Sequence, residues 1–353
     1  MHIKIDAALL AKNLKNTGYI VSKFKEESAL ACVHLRTDKN TVIVTLSNDN
    51  DKAIINLPCS VIEQGECYVT AHKFIGAIQS FVDEVELYQQ DKIFTIKQGK
   101  IKINLPTVQS GIYSTAFSNF QSQCSFTIDG CKFNNMISIV SPFVDVTMQN
   151  IISGINIQVQ NNWIKMQACH NAAMAVSTHK CECDDNCNVN LTLKVETLQA
   201  IGRLFADEDI VVSIADRTIQ FVGETCTLFT RVLSGNFPPI EKLVEKDKVC
   251  AIKLNRQLLE KCLRRILIVK TLNKRIDIDI TDNTMLITYE KALQESFDNI
   301  EQLFDNVRLA VNYELLLDAL RVFNGAVLTI EITPMHKLKI IDENNIISIC
   351  PLC

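Results

Sequence analysis

The chain has 353 residues, of which 47% are hydrophobic and 22% charged, and its formal net charge at pH 7 is −4. This composition gives ample apolar material for three packed cores, and no run approaches the roughly 18 apolar residues that a membrane-spanning helix needs. The first five residues are strand-like and lack the basic and apolar regions of an export signal, so we expect a cytoplasmic protein. The 14 cysteines are therefore expected to be reduced and mostly to serve as small core residues.

The predicted elements recur three times along the chain, and each recurrence opens with a short alternating strand followed by a helix. The strand ends in Asp6, Asp129 or Asn255, and these residue types are suited to cap the N-terminus of a helix. The recurrences begin 123 and 126 residues apart, which indicates one structural unit used three times. The sequence predicts domains at 1–121, 122–245 and 246–353, strands at 3–6, 126–129 and 252–255, and helices at 7–16, 130–140 and 256–269.

A second helix is predicted later in each repeat, where apolar residues recur at helical spacing and the stretch ends on phenylalanine. Two or three alternating strands follow, and each series closes on Leu105-Pro106, Phe237-Pro238 or Cys350-Pro351. The second helices are predicted at 69–81, 193–205 and 311–323.

Strict alternation of apolar and polar residues predicts strands between the helices. Stretches 155–159 and 163–166 form a predicted hairpin around a polar turn, and 275–280 and 285–289 form its counterpart in the third repeat. Alternation buries one face of an antiparallel sheet and leaves the other exposed. The predicted fold class is therefore α+β, with two helices packed on antiparallel sheets in each of three repeated domains.

Four segments carry a resemblance to a known family: Leu-Ser-Gly-Asn-Phe-Pro at 233–238, Leu-Leu-Glu-Lys-Cys-Leu-Arg-Arg at 258–265, Val-Asn-Tyr-Glu-Leu-Leu at 311–316, and a chain end just after Cys350-Pro351. In their order and spacing across three repeats, they resemble the beta subunit of bacterial DNA polymerase III, the replicative sliding clamp. The resemblance covers essentially the whole chain. It implies the DNA clamp fold and a head-to-tail homodimer, a closed ring of six domains with helices inside and sheets outside.

The resemblance implies a processivity factor that encircles duplex DNA without reading its sequence. It implies no catalytic site and no cofactor, and the sequence holds no Gly-rich phosphate loop and neither the His-Glu-x-x-His nor the Gly-x-Ser-x-Gly motif. A ring that holds DNA topologically needs only cations that attract phosphates, so the distribution of charge matters more than the negative net charge. The proposed DNA contacts are Lys12, Lys15, Lys73, Lys132, Arg203, Arg256, Lys261, Arg264, Arg265 and Arg321 on helices, with Lys23 and Lys25 in a loop.

The resemblance also implies a pocket between the second and third domains that takes short linear peptides from polymerases, the clamp loader and repair proteins. An apolar patch with a few backbone and amide groups suits a peptide with aliphatic anchors. The implied subunit contact joins the outer strand near Ile101 and Ile103 of one chain to the third domain of another. The implied pocket residues are Ile152, Ser153, Gly154, Cys169, Asn171, Ala172, Ala173, Met174, Pro238, Lys242, Leu243, Asn312, Leu315, Met335, Cys350, Pro351 and Leu352.

The pocket departs from the family pattern in two places. The usual Thr-Asp-Gly-x-Arg-Leu element reads Cys-His-Asn-Ala-Ala-Met at 169–174, and the usual Met-Pro-Met-Arg ending reads Cys-Pro-Leu-Cys at 350–353. An alternative function therefore stays open, in which the chain is a clamp-fold interaction scaffold whose altered pocket does not support the main replicative polymerase.

A cysteine-rich segment stands apart from the family pattern. His179, Cys181, Cys183 and Cys187 fall within nine residues, with His170 nearby in the sequence. Four such side chains could close a tetrahedral zinc site. The Cys-x-Cys-x3-Cys spacing differs from the Cys-x2-Cys pair of zinc ribbons, however, and the acids between the cysteines favour an exposed loop with free thiols. We assign no metal to this segment from the sequence.

Overall fold

The computed structural model of the protein describes residues 1–21, 31–108, 117, 119–148, 150–184, 187–240, 247–298, 300–304 and 306–352. These ranges contain six α-helices, two for each sequence repeat: α1 Ala7–Thr17, α2 Ala71–Ile78, α3 Gly130–Val140, α4 Val195–Leu204, α5 Arg256–Val269 and α6 Tyr313–Val322. The bounds of α3 and α5 are those predicted from the sequence, and α1 is one residue longer than predicted.

The predictions for α2, α4 and α6 began two residues too early. The reason is that each of these predictions started inside the strand that precedes the helix. The buried strand residues are Val69, Leu193 and Val311, which pair in sheet ladders with Val33, Ile155 and Ile276. An apolar strand that runs directly into an amphipathic helix gives no break in the hydrophobic pattern at the boundary.

Side-chain caps begin the first helix of each repeat, as the sequence predicts. Asp6 Oδ1 accepts the backbone N–H of Leu9 at 2.8 Å, and Asp129 Oδ1 accepts that of Lys132 at 2.7 Å. Asn255 Oδ1 accepts two N–H groups at the start of α5. Each cap satisfies backbone donors that have no partner within the helix.

The strands make up four antiparallel sheets. Both predicted hairpins form, and their two-residue turns, Asn161-Asn162 and Asp282-Asn283, have positive φ at both positions, which matches the twist of the flanking strands. The strands are β1 His2–Asp6, β2 Cys32–Asp38, β3 Thr41–Ser47, β4 Asp51–Pro58, β5 Ser60–Glu63, β6 Glu66–Thr70, β7 Glu84–Gln90, β8 Ile93–Gln98, β9 Ile101–Pro106, β10 Cys124–Asp129, β11 Gly154–Gln160, β12 Trp163–His170, β13 Ala173–Lys180, β14 Glu182–Cys183, β15 Val189–Lys194, β16 Asp209–Ala215, β17 Thr218–Val222, β18 Cys226–Arg231, β19 Cys250–Asn255, β20 Arg275–Thr281, β21 Thr284–Tyr289, β22 Leu293–Phe297, β23 Glu301–Phe304, β24 Val307–Asn312, β25 Val327–Ile332, β26 Leu338–Ile341 and β27 Asn345–Ile349.

The chain packs as two compact units. The first comprises Met1–Asn134, Cys181–Cys187 and Glu196–Val232, and the second comprises the remaining described residues. The first unit holds a five-stranded sheet, β5-β1-β7-β8-β9, and a nine-stranded sheet, β14-β10-β16-β17-β18-β4-β3-β2-β6. The second holds a nine-stranded sheet, β15-β11-β12-β13-β27-β26-β25-β19-β23, and a four-stranded sheet, β22-β21-β20-β24.

Each nine-stranded sheet crosses a boundary between predicted domains. In the first unit, β4 of the first repeat pairs with β18 of the second, and in the second unit β13 pairs with β27 of the third repeat. Shared sheets join the repeats through backbone hydrogen bonds. The division into three domains at 121 and 245 stays a prediction.

Buried side chains fill the space between helices and sheets within each unit. Phe74 of α2 meets Phe94 of β8 edge to face at 5.7 Å between ring centroids, and Tyr289 of β21 meets Tyr313 of α6 at 5.8 Å. Such arrangements are favourable for aromatic rings. Among the described residues, no helix is long and apolar enough to cross a membrane.

Candidate functional site

The predicted pocket residues that the structure describes all belong to the second unit, and its nine-stranded sheet brings several of them together. β12 and β13 form a hairpin in which Cys169 lies opposite Met174, and β13 then pairs with β27, where Met174 lies opposite Ser348. The hairpin turn carries Asn171 and Ala172. The segment that replaces the family's Thr-Asp-Gly-x-Arg-Leu element is therefore a strand–turn–strand held by a third strand.

An apolar cluster lies on this part of the sheet. Met174, Val176 and Ile240 are buried in it, and half-buried Cys169 and Phe237 pack against them. The sequence prediction named Cys169 and Met174 and missed the other three. Val176 could have been found from strand alternation, because it lies two residues after Met174 and on the same face. The cluster is mostly buried, and its half-buried members Cys169 and Phe237 are the ones that reach the surface.

The segments beside the cluster are fixed by local hydrogen bonds. Asn150 Oδ1 accepts the backbone N–H of Ile152 at 3.0 Å, and Ser153 Oγ donates to the Asn150 carbonyl at 2.7 Å. Gly154 has no room for a side chain, since an added Cβ would lie 2.5 Å from the carbonyl oxygen of Leu193. These contacts set the backbone path of the first predicted pocket segment.

The final described residues are tied to two neighbouring elements. The backbone N–H of Cys350 donates to the carbonyl of Ala172 at 2.8 Å, and that of Leu352 donates to the carbonyl of Ala310 at 2.8 Å. Cys350, Pro351 and Leu352 are all half-buried. The C-terminal segment thus lies against the β12–β13 turn and against β24.

The remaining predicted pocket residues differ in their surroundings. The side chain of Asn312 caps α6 by accepting the N–H of Glu314 at 2.9 Å, and Leu315 is half-buried on the same helix. Met335 is 66% exposed and is not part of the apolar cluster. Lys242 and Leu243 lie outside the described residues.

His170 adds a titratable group to the β12–β13 turn. Its Nδ1 accepts the backbone N–H of Ala172 at 3.1 Å, so this nitrogen carries no proton. Burial lowers the pKa of His170, and the nearby Asp145 carboxylate opposes that shift. A hydrogen bond from Thr147 Oγ1, 2.6 Å from Asp145 Oδ1, holds the pKa of Asp145 below its usual range. A neutral histidine therefore stabilises this turn.

We expect the free energy of unfolding to depend on pH through His170. Because burial lowers the folded-state pKa, the unfolded chain binds the proton more readily, and stability is lost as pH falls from the ordinary histidine value toward the folded-state value. His170→Asn keeps an acceptor for Ala172 but removes the titration, so the variant should lose less stability than the wild type between about pH 8 and pH 5. Denaturant titrations across that range measure the difference, and equal losses for both proteins would rule out a contribution from His170.

The predicted DNA-contacting cations fall into two groups. In the first group, each cationic side chain forms an ion pair with a nearby acidic side chain. Glu260 accepts from Arg256 at 3.1 Å and from Arg264 at 2.7 Å, and Arg265 is bound to Glu295. The remaining pairs of this group are Lys12 with Asp207 at 3.8 Å and Arg321 with Asp318 at 3.0 Å.

The second group is exposed and unpaired within the described chain. Lys15, Lys132, Arg203 and Lys261 lie on four different helices, and no carboxylate of the described residues comes within ion-pair distance of them. Lys73, which is exposed on α2, belongs to neither group, and Lys23 and Lys25 lie outside the described residues. Unlike the first group, the side chains of the second group have no ion pair among the described residues that would have to break before they met an anion.

The first unit exposes aliphatic side chains at the edge of its smaller sheet, and the second exposes them at and just after the end of α5. In the first unit, β9 is an edge strand, with Ile101 57% exposed and Ile103 half-buried. In the second unit, α5 packs beside the edge strand β22, and its last turn and the residues after it expose Ile268 (83%) and Leu272 (101%). Exposed apolar residues at an unpaired sheet edge are typical of a site that another chain covers.

The cysteine-rich segment is divided between the two units. Cys181, Cys183 and Cys187 are in the first unit, whereas His170 and His179 are in the second. In the part of the chain that the structure describes, no three His, Cys, Asp or Glu side chains are arranged to hold a metal ion.

Comparisons with known proteins all lead to one family. Residues 127–239 match the model of the central domain of the DNA polymerase III beta subunit. The chain is 22% identical over 359 residues to the beta sliding clamp of Streptococcus pneumoniae serotype 4, covering 94% of this chain and 92% of that relative. It is 21% identical over 302 residues to the beta sliding clamp of Bacillus subtilis, covering 81% and 77%.

Solved structures show the same likeness in the fold. The sliding clamp of Pseudomonas aeruginosa, a DNA polymerase III subunit beta, matches with a TM-score of 0.91 at 16% identity, covering 100% of this chain and 99% of that one. The sliding clamp of Bacillus subtilis matches with a TM-score of 0.89 at 17% identity, with the same coverage. The family resemblance and the α+β clamp fold predicted from the sequence are confirmed.

Proposed function

We propose that this chain is a DNA sliding clamp of the DNA polymerase III beta-subunit family, a processivity factor that encircles duplex DNA and tethers the replicative polymerase. The observation that carries the proposal is a clamp fold over the whole chain, combined with a sequence match to the family's central domain. The function is mechanical, so we assign no catalytic residue and no cofactor. The protein would act in the cytoplasm, associated with the nucleoid.

The ring would form from two copies joined head to tail. The exposed isoleucine of β9 in one copy would pack against the exposed end of α5 and the edge strand β22 of the other, and the contact would occur twice. Burying an isoleucine side chain contributes about 1.5–3 kcal/mol. Pairing two edge strands also satisfies their free backbone groups.

DNA would be held by the closed ring and only weakly by local charge. The four exposed and unpaired cations Lys15, Lys132, Arg203 and Lys261 would attract phosphates without reading bases. Weak local contacts allow the ring to slide, because no single position on the duplex is strongly preferred.

We expect the two groups of cations to differ in their effect on DNA affinity. Lys132→Ala should reduce the salt dependence of binding to a short duplex by about 0.9 in the log–log slope, which corresponds to one lost phosphate contact. Arg264→Ala should change the slope less, because Glu260 already holds that guanidinium. Fluorescence anisotropy at several salt concentrations measures both slopes, and equal changes would contradict the division into two groups.

Partner proteins would dock through short peptides on the apolar cluster of Met174, Val176, Ile240, Cys169 and Phe237. Aliphatic or aromatic anchors fit this surface, and the C-terminal residues 350–352 would border it. The chain carries no arginine in the β12–β13 turn or after Cys350. The partner peptides should therefore depend more on apolar anchors than on a charged residue.

A second function is favoured by that altered turn. Under this second function, the chain keeps the clamp fold and binds other proteins but does not support the main replicative polymerase. Primer extension on a closed circular template, with the polymerase and clamp loader of the same genome, separates the two functions. A sliding clamp should lengthen the products made per binding event, whereas a scaffold should leave them unchanged.

A further inference from the structure

Cys124 joins the three cysteines at 181, 183 and 187 at one edge of the nine-stranded sheet in the first unit. The edge strand β14 pairs with β10, so that Cys183 lies opposite Phe126 and Glu182 opposite Thr127. Because side chains alternate along a strand, Cys124 and Cys183 lie on the same face of this pair, and so does Cys181. Cys124 was not part of the cysteine-rich motif found in the sequence.

Cys187 is brought to the same corner by hydrogen bonds around Asp184. The backbone N–H of Cys187 donates to the Asp184 carbonyl at 2.9 Å, and the N–H of Asp184 donates to the Ser125 carbonyl at 3.1 Å. The Asp184 carboxylate also accepts the N–H of Ser125 at 2.6 Å. These hydrogen bonds place Cys187 beside the start of β10, near enough to Cys124 for the two thiols to interact electrostatically.

The members of this thiol pair differ in exposure. Cys187 is buried at 4% exposure, whereas Cys124 is half-buried. Burial, followed by the nearby Cys124, raises the pKa of Cys187 to about 12. A small oxidant can reach Cys124 first, and Cys187 then lies in position to attack the modified sulfur from within the protein.

We propose that Cys124 and Cys187 form a reversible disulfide when the protein meets a small-molecule disulfide such as oxidised glutathione. The Cys124 thiolate attacks one sulfur of the oxidant, forms a mixed disulfide and releases one glutathione thiolate. Cys187 loses its proton and attacks the Cys124 sulfur, forming the protein disulfide and releasing the second glutathione thiolate. Two protein thiols lose two electrons and two protons, and one disulfide oxidant becomes two thiols.

The disulfide would join residues 63 positions apart in the sequence. It would join Cys187 covalently to β10 and so reinforce the short pairing of β14 with β10. A cross-link across a long loop stabilises chiefly by restricting the unfolded chain. The oxidised protein should therefore melt at a higher temperature than the reduced protein, and a thiol reductant should reverse the shift.

The test uses the full-length reduced protein, oxidised glutathione and mass spectrometry of alkylated digests. The wild type should lose two thiols and yield a peptide cross-linked between Cys124 and Cys187, with little glutathione retained on Cys124. Cys187→Ser should instead accumulate the glutathione adduct on Cys124, and Cys124→Ser should form neither product. Cys131, an exposed cysteine on α3, is the control within the same chain and should take up glutathione without cross-linking.

Three results would overturn the proposal. A stable glutathione adduct on Cys124 of the wild type would show that Cys187 does not resolve it. A cross-link between Cys181 and Cys183 in place of the expected one would assign the chemistry to a different pair. Stoichiometric zinc in the purified reduced protein, protecting the four thiols from oxidation, would make the cluster a metal site.

Discussion

Replacing Ile101 with aspartate is expected to convert the protein from a dimer into a monomer. The side chain is 57% exposed on the edge strand β9, and the proposed ring buries it against the second unit of the other copy. A carboxylate buried there without a partner would cost about 3–5 kcal/mol at each contact. The dimer has two such contacts, so its dissociation constant should rise by at least about ten-thousandfold.

The same chain provides a matched control. Ile62 lies on β5, at the opposite edge of the same five-stranded sheet, and is exposed to a similar extent at 55%. Ile62→Asp should leave the dimer intact, whereas Ile268→Asp, on the other side of the proposed contact, should disrupt it. Sedimentation at micromolar concentration measures the mass of each variant. A dimeric Ile101→Asp variant would refute the assignment of β9 to the subunit contact.

The isoleucine variants should remain folded. All three side chains are already largely exposed in the isolated chain, and surface substitutions usually change the free energy of unfolding by less than about 0.5 kcal/mol. Thermal melting at concentrations where the wild type is dissociated provides this check. Loss of the dimer without loss of the fold would place the effect at the interface.

Replacing Met174 with lysine is expected to abolish partner-peptide binding while leaving the ring intact. Met174 is 5% exposed and belongs to the apolar cluster together with Val176 and Ile240. Truncating a side chain at the centre of a binding surface commonly costs about 2 kcal/mol or more, and apolar anchors packed there would remove water from the lysine ammonium without replacing its hydrogen bonds. We expect at least about a thirtyfold loss of affinity.

The probe for this experiment is a fluorescent peptide with leucine and phenylalanine anchors, taken from the polymerase encoded by the same genome. Leu352→Asp is a second variant with less risk to the fold, since Leu352 is half-buried near the chain end. Val327→Lys, at an exposed site on β25 of the same sheet, is the control and should bind like the wild type. Normal binding by both Met174→Lys and Leu352→Asp would move the docking site elsewhere on the protein.

The helices and their caps could be predicted because their signals are local. Asp6, Asp129 and Asn255 precede helical patterns directly, and each cap is formed as expected. The joining of the repeats could not be predicted. The pairings of β4 with β18 and of β13 with β27 link residues far apart in the sequence, and alternation within a strand does not identify its neighbour.

At the candidate sites too, contacts between residues close in the sequence could be predicted, and contacts between residues far apart in the sequence could not. The pairing of Glu260 with Arg256 and Arg264 follows the four-residue helical spacing and could have been read from the sequence. The pairing of Arg265 with Glu295 could not, because it depends on how α5 packs on β22. Cys124 escaped detection for a similar reason, since it reaches the cysteine-rich segment only through the pairing of β10 with β14.

Retention on circular DNA tests the central claim most directly, because only a closed ring holds DNA without strong local contacts. The protein would be loaded onto a nicked circular duplex with its clamp loader, washed at high salt to suppress phosphate contacts, and assayed before and after one restriction cut. A sliding clamp should stay on the circle and be released when the cut creates ends. Equal retention on circular and linear DNA, or no retention on either, would contradict the proposed function.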